Sequence, residues 1–335
     1  MSTPQPPAHS DAATSPGLSF SVVICAHNEE RYGDLLDAVA SVQRQSVLAQ
    51  EIVVVLDHNP RLLELLRRAD LPGVVVVDSR EPRGLGGARN SGIRMSRGAI
   101  VAFLDDDAVA VPEWLERLQA GYRDPETVGV GGAIEPLWLG AEPRWLPAEF
   151  HWVVGCSYRG MPQAAAAVRN LLGCNMSFRR EVLEAVGGFR LGYGCDETDL
   201  CIRVRQRWPH KTLLYLPEAR VHHKVPTSRA RWSYFRSRCY FEGGSKAVVS
   251  RLVGPGDGLA SERAYTVRTL PRGIVRNVAD AALRADLGGL QRAAYIVAGL
   301  LVTAAGYLNG TIFVAEAARA RGWSALVIPD AATDD

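Results

Sequence analysis

Short apolar runs alternate with amphipathic stretches through the first third of the chain. Ser19 to Cys25 (SFSVVIC) is apolar and β-branched and opens into the polar loop AHNEE, the pattern of a buried strand. Leu35, Leu36, Val39 and Val42 then recur at helical spacing. EIVVVLD predicts a second buried strand ending at Asp57, and Pro60 opens the helix that follows, RLLELLRR. Val74 to Val77 predicts a third strand, ending at Asp78. The Gly-rich turn RGLGGARNSG leads into another helix, and Ala99 to Leu104 predicts a fourth strand that runs straight into Asp105-Asp106-Asp107. Four such alternations imply an α/β fold, a parallel sheet with helices on both faces. Ligands of such sheets bind beyond the carboxyl ends of the strands. Asn28, Asp57, Arg89 and the triple aspartate all fall at those ends.

The second half is more mixed. GCNMSFRREVLEAVGGF predicts a strand or loop, then a helix from about Arg180 closed by Gly187-Gly188. GCDETDLCIRVRQR predicts a loop opening a helix, and LLYLPEARVHHKVP predicts two short strands around a turn. From Arg229, RARWSYFRSRCYFEGGSKA predicts a basic, aromatic helix. Ala293 to Ala315 carries no charge and is long enough to cross a bilayer, but Gly, Ala, Thr and Asn309 keep it weakly apolar. Three readings stay open for it: a buried or oligomer-forming helix, a membrane-contacting helix, or a span. The first residues, MSTPQPPAHSDAATSPG, have neither the basic start nor the apolar core of a signal peptide and predict a disordered tail. The expected organisation is a tail at 1–18, a main domain at 19–246 (halves 19–130 and 131–246), a helical region at 247–327 and a tail at 328–335.

Composition narrows the classes. With 335 residues and 47% hydrophobic content, the chain suffices for one large α/β domain and an extension. A net charge of +2 gives no field that would favour nucleic acid. Six cysteines without a C-x-x-C pair indicate neither a zinc site nor a disulfide framework, which fits a cytoplasmic protein.

The triple aspartate carries the chemistry. Adjacent carboxylates repel one another unless a cation or a set of donors holds them. Hard oxygen ligands at a strand end suit Mg²⁺ or Mn²⁺, which also bridges a diphosphate. The same residues would serve as an acidic cap for the helix near Val111–Trp114. Arg89, on its Gly-rich turn, could grip phosphate bidentately or be a surface arginine at a helix start. That turn lacks the third glycine of G-x-G-x-x-G, and no G-K-[ST] follows it. Asp196-Glu197-Thr198-Asp199 is a second acidic cluster, suited to general-base work or to capping a helix through Asp196. His222 and His223 offer imidazole near a predicted strand.

Taken in order, SVVICAHNEE, EIVVVLDHN, GLGGARNSGI, VAFLDDDA, GCNMSFRRE, GCDETDLC and VHHKVP resemble family 2 of the glycosyltransferases over roughly residues 19 to 246. The stretch from VHHKVP through YFRSRCYFEGGSKA resembles prokaryotic members of the glucosyl-dolichyl-phosphate glucuronosyltransferase type. The resemblance implies the GT-A fold, with a mostly parallel central sheet and a C-terminal helical extension. It implies an inverting enzyme that moves a sugar from a nucleotide-diphosphate sugar, UDP-linked by preference, to a hydroxyl with the help of Mn²⁺ or Mg²⁺. Asp105 and Asp107 would be the outer residues of the D-x-D motif, Asp107 the main metal ligand, Asp105 nearer the ribose and Asp106 adjacent. Asp57 would accept from the base, Ala26 and Asn28 would line the nucleotide pocket, and Arg89 would sit near the base or the diphosphate. Gly173, Cys174 and Asn175 would shape the sugar and acceptor pocket, and His223 rather than His222 would complete the metal shell. The family's base is the second residue of an E-D pair. Here the pair reads Asp196-Glu197, so the base falls on Glu197, with Asp196 as the alternative.

Acceptors open to such an enzyme are a polyprenyl-phosphate-linked or cell-envelope glycan and a natural-product aglycone. Residues 229–246 and 293–315 would make peripheral contact with the cytoplasmic face of a membrane: Arg229, Arg231, Arg236 and Arg238 interleave with Trp232, Tyr234, Phe235 and Tyr240. The same basic helix could grip a pyrophosphate or be a solvated amphipathic face. Trp152 would stack on a sugar or fill the core. A sugar nucleotidyltransferase would need a Gly-rich basic loop after the first strand, where this chain has AHNEERYG. A non-catalytic glycan- or lipid-binding protein on the same scaffold has the reversed acidic pair as its support.

Overall fold

In a computed structural model, residues 18–69, 71–192, 194–254 and 260–321 are described, apart from the side chains of 260, 261 and 314–321. The expected tail at 1–18, except residue 18, and the tail at 328–335 lie outside them. Strands β1 (Phe20–Ala26), β2 (Glu51–Leu56), β3 (Val74–Asp78) and β4 (Ile100–Asp105) form the parallel run β3-β2-β1-β4. Helices α1 (Tyr32–Gln43), α2 (Pro60–Ala69) and α3 (Leu85–Met95) connect them. β2 is buried throughout, as befits a strand covered on both faces. Ile24 pairs with Val54 on one side and Leu104 on the other, so β1, β2 and β4 end level. Asp57 and the triple aspartate therefore leave the sheet along one edge.

Beyond β4 the sheet is mixed, so the expected parallel run is confined to the first four strands. It adds β5 (Ala108–Ala110), β6 (Thr127–Trp138), the short β7 (Ala166–Ala167), β8 (Asn175–Arg179) and β9 (Thr212–Val225). The order continues β4-β8-β6-β9-β5, with β8 antiparallel to both neighbours and β6 parallel to β9. The turn expected inside LLYLPEARVHHKVP is instead a bulge within one strand. The ladder jumps from the pair Leu216–Gly132 to Val221–Ile134, skipping Pro217, which has no N–H to donate.

Helices α4 (Trp114–Gly121), α5 (Arg180–Ala185) and α6 (Asp196–Arg207) pack around the sheet. Gly187 and Gly188, both at positive φ (76° and 68°), end α5 as expected. The extension comprises α7 (Trp232–Val253), α8 (Ala260–Ala264), a π-helical turn at Tyr265–Thr269, α9 (Leu270–Arg284) and α10 (Gly288–Arg321).

α7 and α10 touch backbone to backbone. A Cβ at Gly306 would lie 2.0 Å from the Tyr240 carbonyl oxygen, and one at Gly243 would lie 2.1 Å from that of Thr303. Gly306→Ala is therefore expected to part the two helices and to cost about 1–3 kcal/mol, seen as a lower melting temperature. An unchanged melt would mean that they do not meet there.

α10 is not a buried helix. Ala293 and Ile296 face the core, but most of the apolar stretch Gly288–Phe313 is not buried, and Leu301, Leu308 and Ile312 are exposed. α9 and its approach expose Val267, Val275, Val278 and Leu283 as well.

Candidate active site

The edge expected from the strand pattern collects its residues as follows. After β1, Asn28 caps a 3₁₀ turn (Glu29–Arg31) by accepting from the Glu30 N–H at 2.9 Å. That turn aims Arg31 at the aspartates: its guanidinium lies 3.2 Å from Asp106 and 3.1 Å from Asp107. Ala26, the last residue of β1, is buried.

β5 pairs with β9 so that Ala108 faces His223, which brings His223 Nε2 to 3.1 Å from Asp107 Oδ1. Ligand atoms of Asp105, Asp107 and His223 all lie within 4.8 Å of one another. Strand alternation sends His222 to the opposite face, where it approaches Glu135 at 3.6 Å. Arg229 closes the group, 3.5 Å from Asp107 and 3.4 Å from His223 Nε2.

The donor set fits a divalent cation. Asp106 and Asp107 are buried, and Asp106 Oδ2 has no hydrogen-bond partner. Burial and the neighbouring Asp107 push Asp106 up to about 7. Burial also works against the charge on Asp107, but the hydrogen bond and charge of His223, with Arg229 and Arg31, hold it well below the usual carboxylate range. Two carboxylates and an imidazole, with an unsatisfied oxygen beside them, are the chemistry of an Mg²⁺ or Mn²⁺ site.

Asp57 directly follows β2 and is also buried. One oxygen lies 2.9 Å from His58 Nδ1, and the other accepts from the Gly84 N–H at 2.8 Å. It thereby ties its strand end to the Gly-rich turn.

Arg89 is not a surface arginine. It is 3% exposed, and its guanidinium lies 3.5 Å from Asp105, 3.4 Å from Asp196 and 3.1 Å from the Gly173 carbonyl oxygen. It bridges the two acidic clusters. Two carboxylates from distant segments share the fork, Asp105 at the end of β4 and Asp196 at the start of α6. Gly173 is small for the same reason: a Cβ there would meet Arg89 Nη2 at 2.9 Å.

Asn175 does not line a pocket. It is fully buried: its Oδ1 accepts from Trp114 Nε1 at 2.8 Å, and its Nδ2 donates to the carbonyls of Ala133 and Ala219 at 2.9 and 2.8 Å. It pins the β9 bulge to the sheet. Trp152 likewise belongs to the interior, donating to the Tyr265 hydroxyl at 3.2 Å beside Phe150.

Asp196 does not cap α6. The cap is Cys195, in a left-handed conformation and without a capping hydrogen bond from its side chain, while Asp196 turns to Arg89. Asp199 is buried between Arg190 (3.1 Å) and Arg203 (2.7 Å). Glu197 remains half-buried. Its surroundings, the Asp196 charge and a hydrogen bond with Asp196 raise its proton affinity, with Arg89 opposing.

A family model described as glycosyl transferase family 2 matches residues 21–187. A glucosyl-dolichyl phosphate glucuronosyltransferase of Haloferax volcanii is 34% identical over 246 residues, 70% of this chain and 78% of that protein. The chain belongs to glycosyl transferase family 2. This glycosyltransferase is also 25% identical to the succinoglycan biosynthesis protein ExoM of Rhizobium meliloti, over 68% of the chain and 73% of that protein. Its fold matches that of a mannosyltransferase of Pyrobaculum calidifontis solved with GDP-Man and Mn²⁺. There the TM-score is 0.57 at 19% identity, covering 89% of this chain and 87% of that one. The GT-A architecture is thus shared by a nucleotide-sugar enzyme.

Two residues of the glycosyltransferase site were not foreseen in the roles they take. Arg31 lies in the AHNEER loop, where a cation after two glutamates reads as surface charge. The sequence pattern groups Arg229 with the arginines of the basic helix, whereas it precedes α7 and faces Asp107.

Proposed function

We propose that this glycosyltransferase transfers a sugar, with inversion, from a UDP-linked or other nucleotide-diphosphate donor to a hydroxyl on a polyprenyl-phosphate-linked or cell-envelope glycan. The convergence of Asp105, Asp107 and His223, joined through Arg89 to Asp196 next to Glu197, carries this reading. Asp105, Asp107 and His223 would hold Mn²⁺ or Mg²⁺, which neutralises charge on a leaving nucleoside diphosphate. Arg31 and Arg229 supply positive charge for the diphosphate oxygens at the same place. Asp57 and Asn28 bound the nucleotide side. Arg89 fixes the spacing between the donor cluster and Asp196. Glu197 takes the proton from the acceptor hydroxyl as that oxygen attacks the anomeric carbon, and the raised affinity of its carboxyl for a proton suits that task. Asp196, held on Arg89, positions it.

The acceptor is assigned to a membrane because α9 and α10 expose an apolar face with Arg268, Arg272 and Arg284 exposed among it. A soluble aglycone needs no such surface. The double substitution Leu301→Asp and Leu308→Asp is expected to weaken co-sedimentation with anionic phospholipid vesicles about tenfold or more; binding equal to wild type would remove the membrane from the account.

Activity itself is tested by incubating the protein with Mn²⁺ and a panel of nucleotide sugars, with a polyprenyl-phosphate-linked sugar as acceptor. The expected product carries the inverted anomeric configuration by NMR. A product of retained configuration, or no transfer from any donor, would overturn the proposal.

A further inference from the structure

A second ionic cluster, unused by the donor chemistry, surrounds Glu262. Arg169, in the loop between β7 and β8, grips both oxygens of the Glu262 carboxylate, at 2.9 and 2.8 Å. Lys246 Nζ, from α7, lies 2.9 Å from the same carboxylate. The Arg169 and Lys246 side chains are only 8% and 12% exposed. Arg169 Nε donates to Asn170, which fixes the plane of the fork.

The cluster adjoins the base. Lys246 is 3.5 Å from Glu242, whose carboxylate accepts from Cys195 Sγ at 3.3 Å, and Cys195 precedes Asp196-Glu197 in the chain. Glu197 is close enough for its charge to bear on both Cys195 and Arg238.

A planar guanidinium with a lysine beside it, both largely removed from water, is the donor set that recognises a carboxylate or phosphoryl group. Arg169 belongs to a loop of the sheet region and Lys246 to α7, the first helix of the extension. The anion between them comes from the five-residue α8, which runs into the π-helical turn and then into α9, a helix of the apolar face. π-helical turns concentrate at functional positions. We propose that Arg169 and Lys246 form a subsite for the phosphoryl group of the acceptor, and that Glu262 fills it as an internal competitor when no acceptor is bound. The subsite rests on the acceptor class proposed above, and it adds the residues that would recognise the acceptor and a carboxylate that must be displaced.

Binding of inorganic phosphate to the full chain, followed by calorimetry without metal, tests this. Glu262→Gln is expected to bind phosphate about tenfold more tightly than wild type. Adding Arg169→Gln should abolish the gain. Glu262→Asp, which keeps the charge but shortens its reach, should gain less, and it stands in should the glutamine variant not fold. Phosphatidylcholine vesicles carrying phosphatidic acid form the second arm. A gain there as well as with inorganic phosphate assigns the site to a lipid-borne phosphoryl group, and a gain with inorganic phosphate alone assigns it to a soluble phosphate ester. No gain in either arm for a folded variant overturns the proposal and makes the cluster a structural ion pair. Binding of UDP with Mn²⁺, measured on the same samples, separates the two readings: its absence would remove the donor assignment while leaving the phosphate result to stand or fall alone.

Discussion

Asp107→Ala is expected to lower kcat/KM for sugar transfer by about 10³-fold or more. Asp107 is the residue on which the site converges: His223, Arg31 and Arg229 all reach it. Removing it costs the cation a ligand and leaves an imidazole and two guanidiniums facing one another. The loss should appear in single-turnover rates as well as in steady state, because chemistry and donor binding both depend on the site. The substitution also removes a group held ionised far below its usual range. Asp107 therefore contributes stability above the ordinary carboxylate pKa that is lost as pH falls through its depressed one, and the variant should lack that acid-side slope. A variant with near wild-type turnover would show that donor activation happens elsewhere.

Glu197→Gln should reduce kcat by about 10²–10⁴-fold while leaving donor affinity in place, since removing a general base touches proton transfer alone. A near wild-type rate would move the base to Asp196. The pH dependence follows from the surroundings of this carboxyl. Its protein environment, the Asp196 charge and their shared hydrogen bond push Glu197 up to about 8. The base works deprotonated, so kcat/KM should climb with pH until it passes that value, and the climb should vanish in the glutamine variant. Stability runs the other way. A carboxyl whose pKa is raised by folding binds more protons folded than unfolded between its two pKa values, so wild type loses stability as pH rises from the ordinary carboxylate range to about 8. Glu197→Gln should not.

Much of this site was legible in the chain because it follows from period and topology. The β-branched runs ending at Ala26, Leu56 and Leu104 determine where a parallel sheet must end, and Asp57 and Asp105–Asp107 come directly after two of them. His223 could be told from His222 by family position, and strand alternation gives the physical reason. What escaped depends on contacts between distant segments. Nothing near Asn175 announces that its partners are Trp114, Ala133 and Ala219. Nothing near Arg89 announces that Asp196, more than a hundred positions away, will claim its guanidinium. The β9 bulge has the sequence pattern of a turn because proline and charge interrupt the run, and a turn and a bulge leave the same local trace. The apolar face was seen in α10 but missed in α9, where scattered valines among arginines show no uncharged stretch.

The central claim is that Asp105, Asp107 and His223 hold a divalent cation for a nucleoside diphosphate. Titration of Mn²⁺ in the presence of UDP, followed by electron paramagnetic resonance, addresses it most directly. The account predicts one tightly bound Mn²⁺ per wild-type chain, lost in Asp107→Ala and weakened in His223→Ala. Equal binding in all three proteins, or none in wild type together with full transfer activity in EDTA, would contradict it.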